Sequence, residues 1–304
     1  MALHDYLVTE VALDHVEGHL TRREALVRLG LMGLSVSGAM ALLTACGADE
    51  SAPPTAVSSG TGRPSAAPSA SGVGYDVAGS LARTEPVTFA GDGGTLLGAF
   101  AAAEGAPKGA VLVVHENRGL TDHIRAVAGR LAGDGYAALA VDLVSRKGGT
   151  AAADDPTAAL NALSEVELVS DLQSGLEELQ ARVPGARTGA VGFCFGGGMV
   201  WRLLNAGAPT LAAAVPFYGP LPSAPDFSGT KAAVLGVFAE QDSRVNAGLG
   251  EAEKALTAAG LTHELEIVPG VDHAFFNDTG PRFDAGAAAS AYQQVLDWFG
   301  THLA

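Results

Sequence analysis

The sequence predicts an α/β domain built on a mostly parallel sheet with helices on both faces. Short, nearly continuous apolar runs such as Gly109–Val114 and Thr188–Phe193 have the length and character of strands buried on both sides. They alternate with longer segments of helical period, of which Val169, Leu172, Leu176, Leu179 and Val183 mark one face. Hydrophobic residues make up 48% and charged residues 17% of the 304, a composition that supports a sizeable buried core.

In chain order, residues 86–101 hold two apolar stretches around Gly91-Asp92-Gly93-Gly94, the pattern of a hairpin. A buried strand follows over 109–114, then a helix over 121–134 capped at Thr121, then a strand over 136–144. Asp155-Pro156 opens a helical region, because proline suits a first turn. Ser164 and Glu167 have capping-box spacing ahead of the longest periodic face. Strand 188–193 leads into helix 196–205. Strands 211–217 and 232–238, helix 247–260, strand 263–268 and helix 286–302 complete the alternation. In a sheet of this kind the chemistry belongs at the carboxyl ends of the strands.

The first 45 residues read as an export signal. Arg22-Arg23 precedes an apolar run from Leu26 to Leu43 with no charge after Arg28, shorter than a membrane-spanning helix. The run ends in Leu43-Thr44-Ala45-Cys46, which resembles a bacterial lipobox. That resemblance implies cleavage before Cys46, lipidation of Cys46, and a protein anchored to the outside of the cell membrane or to the periplasmic or outer-membrane face; an uncleaved N-terminal anchor helix, or an ordinary signal with a chance cysteine, is the alternative. Residues 46–85 are rich in Ser, Ala, Pro, Gly and Thr, a composition expected of a flexible tether, and the folded domain is expected over 86–304.

A net charge of −15 argues against a nucleic-acid partner, since phosphate binding needs a cationic footprint. With Cys46 and Cys194 the only cysteines, a disulfide framework is not expected.

Gly192-Phe193-Cys194-Phe195-Gly196 fits Gly-x-Cys-x-Gly between a strand and a helix. Its serine counterpart is the nucleophile elbow, a tight turn that lifts one side chain above the sheet. Glycines at 192 and 196 leave room where neighbouring backbone approaches too closely for a Cβ. The helix N-terminus favours a thiolate at Cys194, and the N–H of Phe195 is placed to hold an oxyanion.

A thiol nucleophile needs a base, and the base an orienting acid. Of the eight histidines, His115, His123 and His273 are candidates, and only His273 follows the nucleophile and the acid in hydrolase order. Asp242, just past the strand that ends near Phe238, is the favoured acid. Asp226, Asp272 and Asp278 are its rivals.

On these residues the chain resembles the dienelactone hydrolase family of α/β-hydrolases over roughly 86–302. The resemblance implies that Glu116 contacts the resting Cys194, that the N–H of Asn117 is a second oxyanion donor, and that Arg146 binds a substrate carboxylate. It implies an ester or lactone substrate and neither metal nor cofactor. The dienelactone-cleaving members have a serine and a second arginine after the catalytic histidine. Here the stretch is Ala274-Phe275-Phe276-Asn277, which favours a less charged ester as much as an anionic lactone. A non-catalytic binding module on the same scaffold is the alternative. A thiol redox protein ranks behind both, because the mature domain has no resolving cysteine.

Overall fold

A computed structural model describes residues 3–16, 18, 20–45 and 77–304. Cys46 and most of the expected tether lie outside the described residues. The chain divides into two compact units, one of Met1–Leu7 with Asp76–Ala304, the other of Val8–Tyr75.

The smaller unit carries most of α1 (Leu3–Val16) and all of α2 (Arg22–Leu31) and α3 (Val36–Ala45). Helix α2 starts at a complete capping box, in which Thr21 and Glu24 satisfy each other's backbone N–H. It stops at Gly33, whose φ of 89° only glycine adopts freely. Among the described residues no helix is long and apolar enough to cross a membrane.

The larger unit contains an eight-stranded sheet in the order β1-β2-β4-β3-β5-β6-β7-β8. The antiparallel hairpin of β1 (Glu85–Gly91) and β2 (Gly94–Ala101) joins β4 (Tyr136–Asp142) antiparallel. β3 (Gly109–Val114), β5 (Thr188–Phe193), β6 (Leu211–Phe217), β7 (Ala233–Ala239) and β8 (His263–Val268) run parallel with β4. The hairpin and every predicted strand are present. β4 stops two residues early, because the Asp142 carboxylate turns back to accept the N–H of Val144 at 3.0 Å and of Thr150 at 2.7 Å.

Helices α5 (Asp122–Gly133), α6 (Pro156–Asn161), α7 (Glu165–Arg182), α8 (Phe195–Asn205), α9 (Ser243–Asn246), α10 (Leu249–Ala258) and α11 (Ala285–His302) connect the strands. Both sheet faces are covered. Gly175 of α7 lies against Leu112, while Gly189, on the opposite face from the Ala190 that pairs with Leu112, lies against Phe299 of α11. The Ser164–Glu167 capping box opens α7 as predicted.

Part of the stretch expected to be flexible over 46–85 lies among the described residues. Val77–Leu81 forms α4, and Ser80 packs so closely on α5 that a Cβ at Gly129 would meet the Ser80 carbonyl oxygen at 1.9 Å.

From β3 the chain crosses to β4 on one side and afterwards to β5 on the other. The carboxyl ends of β3 and β5 therefore border the crevice where strand order reverses, the usual ligand position in open α/β sheets. Val114 pairs with Gly192, so the residues that follow each strand emerge side by side.

Candidate active site

β5 ends at Phe193 and α8 begins at Phe195, leaving Cys194 alone in the turn at φ 57° and ψ −117°. A non-glycine residue there stores about 1–3 kcal/mol of strain, which the surrounding structure must over-determine. Cys194 is fixed by its N–H on the Phe217 carbonyl at 3.1 Å and by its carbonyl, which accepts from Gly198 at 3.0 Å. A Cβ at Gly192 would meet the Gly196 carbonyl oxygen at 2.3 Å, and one at Gly196 the Val114 carbonyl oxygen at 2.3 Å. The elbow is thus built against β3, and both predicted glycines are sterically required. Cys194 caps α8, so its thiol sits at the positive helix end, and the N–H of Phe195 lacks an intrahelical acceptor.

His273 lies past the end of β8, and its Nδ1 is 2.5 Å from Oδ2 of Asp242, past the end of β7. Asp242 Oδ1 accepts the Val245 N–H at 3.1 Å and caps α9. Burial alone would raise the Asp242 pKa, but the His273 hydrogen bond and charge, Arg244 and the Val245 N–H together hold it below the ordinary carboxylate range. The ionised carboxylate keeps the ring proton on Nδ1, which makes Nε2 the accepting nitrogen. The Cys194 Sγ and a His273 ring nitrogen lie within 4.8 Å of one another. The Tyr218 ring, at φ 33°, packs 5.0 Å from the His273 ring.

The rival acids are committed elsewhere. Asp272 accepts the backbone N–H of His273 at 2.7 Å, Asp278 pairs with His123 at 2.6 Å, and Asp226 accepts the Ser228 N–H at 3.0 Å.

The loop after β3 carries the other half of the site. The buried His115 accepts the Leu143 N–H on Nε2 at 3.0 Å, so its Nδ1 carries the proton and donates to the Glu116 carbonyl at 2.6 Å. Burial lowers its pKa despite the nearby Asp142, consistent with this neutral form. The ring also stacks on Phe195, 6.2 Å away, joining this loop to the residue after the nucleophile. Thr157 donates to the Asn117 carbonyl at 3.0 Å, which holds that residue from the α6 side.

Glu116 is buried, and its Oε2 accepts from Asn277 Nδ2 at 2.5 Å. Burial raises its pKa, opposed by the charges of His123, His273 and Arg118 and by the Asn277 bond. Its carboxyl therefore lies within electrostatic reach of the base.

Arg146, expected at a substrate carboxylate, is paired within the fold. Its Nε and Nη2 grip both oxygens of Asp171 at 2.8–3.1 Å, with Glu167 3.8 Å away. It packs on Gly93 of the β1–β2 turn. Asp171 is fully buried and needs that charge, so the pair ties Arg146 to α7.

Sequence reading missed two contributors. Asn277 stood in the Ala274-Phe275-Phe276-Asn277 stretch, but nothing local tied it to Glu116. Tyr6 is fully buried, with its hydroxyl 3.0 Å from Cys194 Sγ and 3.4 Å from His273 Nε2. It lies in a segment that read as a leader, and no spacing rule links it to the elbow.

Comparison with known proteins agrees with this fold. The model of the dienelactone hydrolase family matches residues 96–303. A candidate carboxymethylenebutenolidase from Synechocystis sp. is 33% identical over 215 residues, covering 64% of this chain and 86% of the relative. One from Escherichia coli K12 is 32% identical over 210 residues, covering 64% and 77%. The crystal structure of a candidate dienelactone hydrolase from Klebsiella pneumoniae superposes with a TM-score of 0.63 at 28% identity, over 72% of this chain and 98% of that one. An elbow, a histidine–carboxylate pair and a parallel sheet recur on many unrelated hydrolases, but a family match across nearly the whole larger unit does not, and by that match this chain belongs to the dienelactone hydrolase family and is an ester or lactone hydrolase.

Proposed function

We propose that the hydrolase works through an acyl-cysteine, with Cys194 as nucleophile, His273 as base and Asp242 as the acid that orients it. The observation that carries this reading is the thiol on a strained elbow within 4.8 Å of a histidine that is itself anchored by Asp242 at 2.5 Å. The Cys194 proton passes to His273 Nε2 as the sulfur attacks the ester carbonyl carbon. The carbonyl oxygen becomes an oxyanion facing the N–H groups of Phe195 and Asn117. The C–O bond to the leaving alcohol then breaks, and His273 gives that oxygen its proton. Water, deprotonated by His273, attacks the thioester, and the carboxylic acid leaves as the thiolate returns. By the family resemblance Glu116 meets the resting thiol, and burial, which raises its pKa, favours the uncharged form there.

Neither Arg146 nor the stretch after the base offers a site for a substrate carboxylate, which supports a less charged ester. Arg146 is engaged by Asp171, and Ala274-Phe275-Phe276-Asn277 brings no cation past the base. Rapid-quench mass spectrometry with p-nitrophenyl acetate tests the covalent step. An acetyl adduct should appear on the Cys194 peptide during turnover. Turnover with the adduct on another residue, or with none at any time point, rejects the acyl-cysteine.

The same reading holds that residues 1–45 are removed on export and that Cys46 carries lipid, supported by Arg22-Arg23 and Leu43-Thr44-Ala45-Cys46. Cys46→Ala should move the protein from the membrane to the soluble fraction and leave the leader attached. A variant as membrane-bound as the parent, at the same processed mass, rejects lipidation.

A further inference from the structure

We propose that the site contains a subsite for a phenolic leaving group, and that in the full chain Tyr6 occupies it. This rests on the acyl-cysteine reading and names the substrate class, an ester of a phenol or similar aromatic alcohol.

Tyr6 belongs to the same compact unit as the elbow. Its hydroxyl oxygen is 3.0 Å from Sγ and 3.4 Å from His273 Nε2. During acylation the leaving oxygen must touch those same two groups, because it departs from the carbon that sulfur attacks and takes its proton from Nε2. Sulfur and the leaving oxygen share one carbon in the tetrahedral intermediate, so an oxygen in contact with both Sγ and Nε2 stands where a leaving group would. The ring is held as an aromatic, with the Arg244 guanidinium 4.6 Å from its centroid. Arg244 also lines a cavity of about 230 Å³ with Pro220, Leu221, Pro225 and Val245. The segment is tied down two residues earlier, where His4 Nδ1 meets Asn161 Oδ1 at 2.8 Å.

No other contact of this segment is needed for its effect. A site open only a fraction of the time binds and reacts at that fraction of its intrinsic strength. The uncleaved chain is therefore held down by its own tyrosine. Cleavage before Cys46 carries Tyr6 away with the leader and opens the site in the exported form.

The test uses the full chain, its intact mass verified, with iodoacetamide alkylation of Cys194 followed on its own peptide. Tyr6→Ala should speed alkylation about tenfold or more, and Tyr6→Phe, which keeps the ring but loses the hydroxyl, should fall between. Added p-cresol, the tyrosine side chain as a free molecule, should return Tyr6→Ala to the parent rate, while toluene should not. That rescue also certifies a folded pocket. Alkylation no faster in Tyr6→Ala overturns occupancy by Tyr6, and faster alkylation without p-cresol protection overturns the phenolic subsite. Either failure is separable from that of the acyl-cysteine reading, which Cys194→Ala activity decides.

Discussion

Cys194→Ala is expected to lower ester hydrolysis about 10,000-fold or more while leaving the melting temperature close to the parent's. The magnitude follows from the covalent step. No second nucleophile takes over the attack, and His273 and Asp242 act only through the sulfur, so losing one member costs nearly what losing all would. What remains is the oxyanion contribution of Phe195 and Asn117. Alanine fits the turn, because the Cβ of Cys194 already occupies it and the backbone bonds to Phe217 and Gly198 do not involve the side chain. Folding should thus survive, which keeps the comparison clean. Cys194→Ser is the sharper variant. It preserves the shape but asks His273 for a far less acidic proton, and a loss on the order of 100-fold is expected. Steady-state rates on a panel of aryl acetates measure both. Turnover within a few-fold of the parent in Cys194→Ala would end the cysteine mechanism.

Asp242→Asn should reduce kcat/KM by about 1,000- to 10,000-fold, and the direction of the amide explains why. Oδ1 already accepts the Val245 N–H at the start of α9. Asparagine keeps that bond only by turning its NH2 toward His273 Nδ1. The ring must then accept on Nδ1 and carry its proton on Nε2, the tautomer that cannot take a proton from the thiol. Stability separates this from a folding defect. Asp242 is held below its ordinary pKa in the fold, so its stabilisation is present above the unfolded-state carboxylate range and is lost as pH falls through the folded value. The gap in melting temperature between parent and variant should therefore be present at neutral pH and close in acid, while the rate defect persists at neutral pH. A variant that keeps more than a third of parental kcat/KM at neutral pH would show that another group orients the histidine.

Both predictions rest on residues that local patterns revealed. A strand is visible as a continuous apolar run because both faces of a parallel sheet are covered, and Gly109–Val114 and Thr188–Phe193 are entirely buried. The elbow was legible because its steric demand is met within five residues, Gly192 to Gly196. The Ser164–Glu167 and Thr21–Glu24 caps are equally local, one hydrogen-bonded turn each. Chain order after the nucleophile selected His273, and the strand before it selected Asp242.

Arg146 and Tyr6 mark where such reading stops. A charge after a strand looks the same whether it faces a substrate or a buried partner. Only the packing of α7 on the sheet brings Asp171 against Arg146, 25 residues away, and consumes the guanidinium. Tyr6 and Cys194 are 188 residues apart, and Glu116 and Asn277 are 161 apart. No periodicity spans such distances. Composition and spacing report what a residue does to its neighbours along the chain, which determined the sheet, the elbow and the order of the triad. Which side chains occupy, neutralise or shield the thiol depends on how separate elements converge at the carboxyl ends of β3, β5, β7 and β8, and burial in that convergence, not local sequence, raises the pKa of Glu116 and sets Tyr6 against the sulfur.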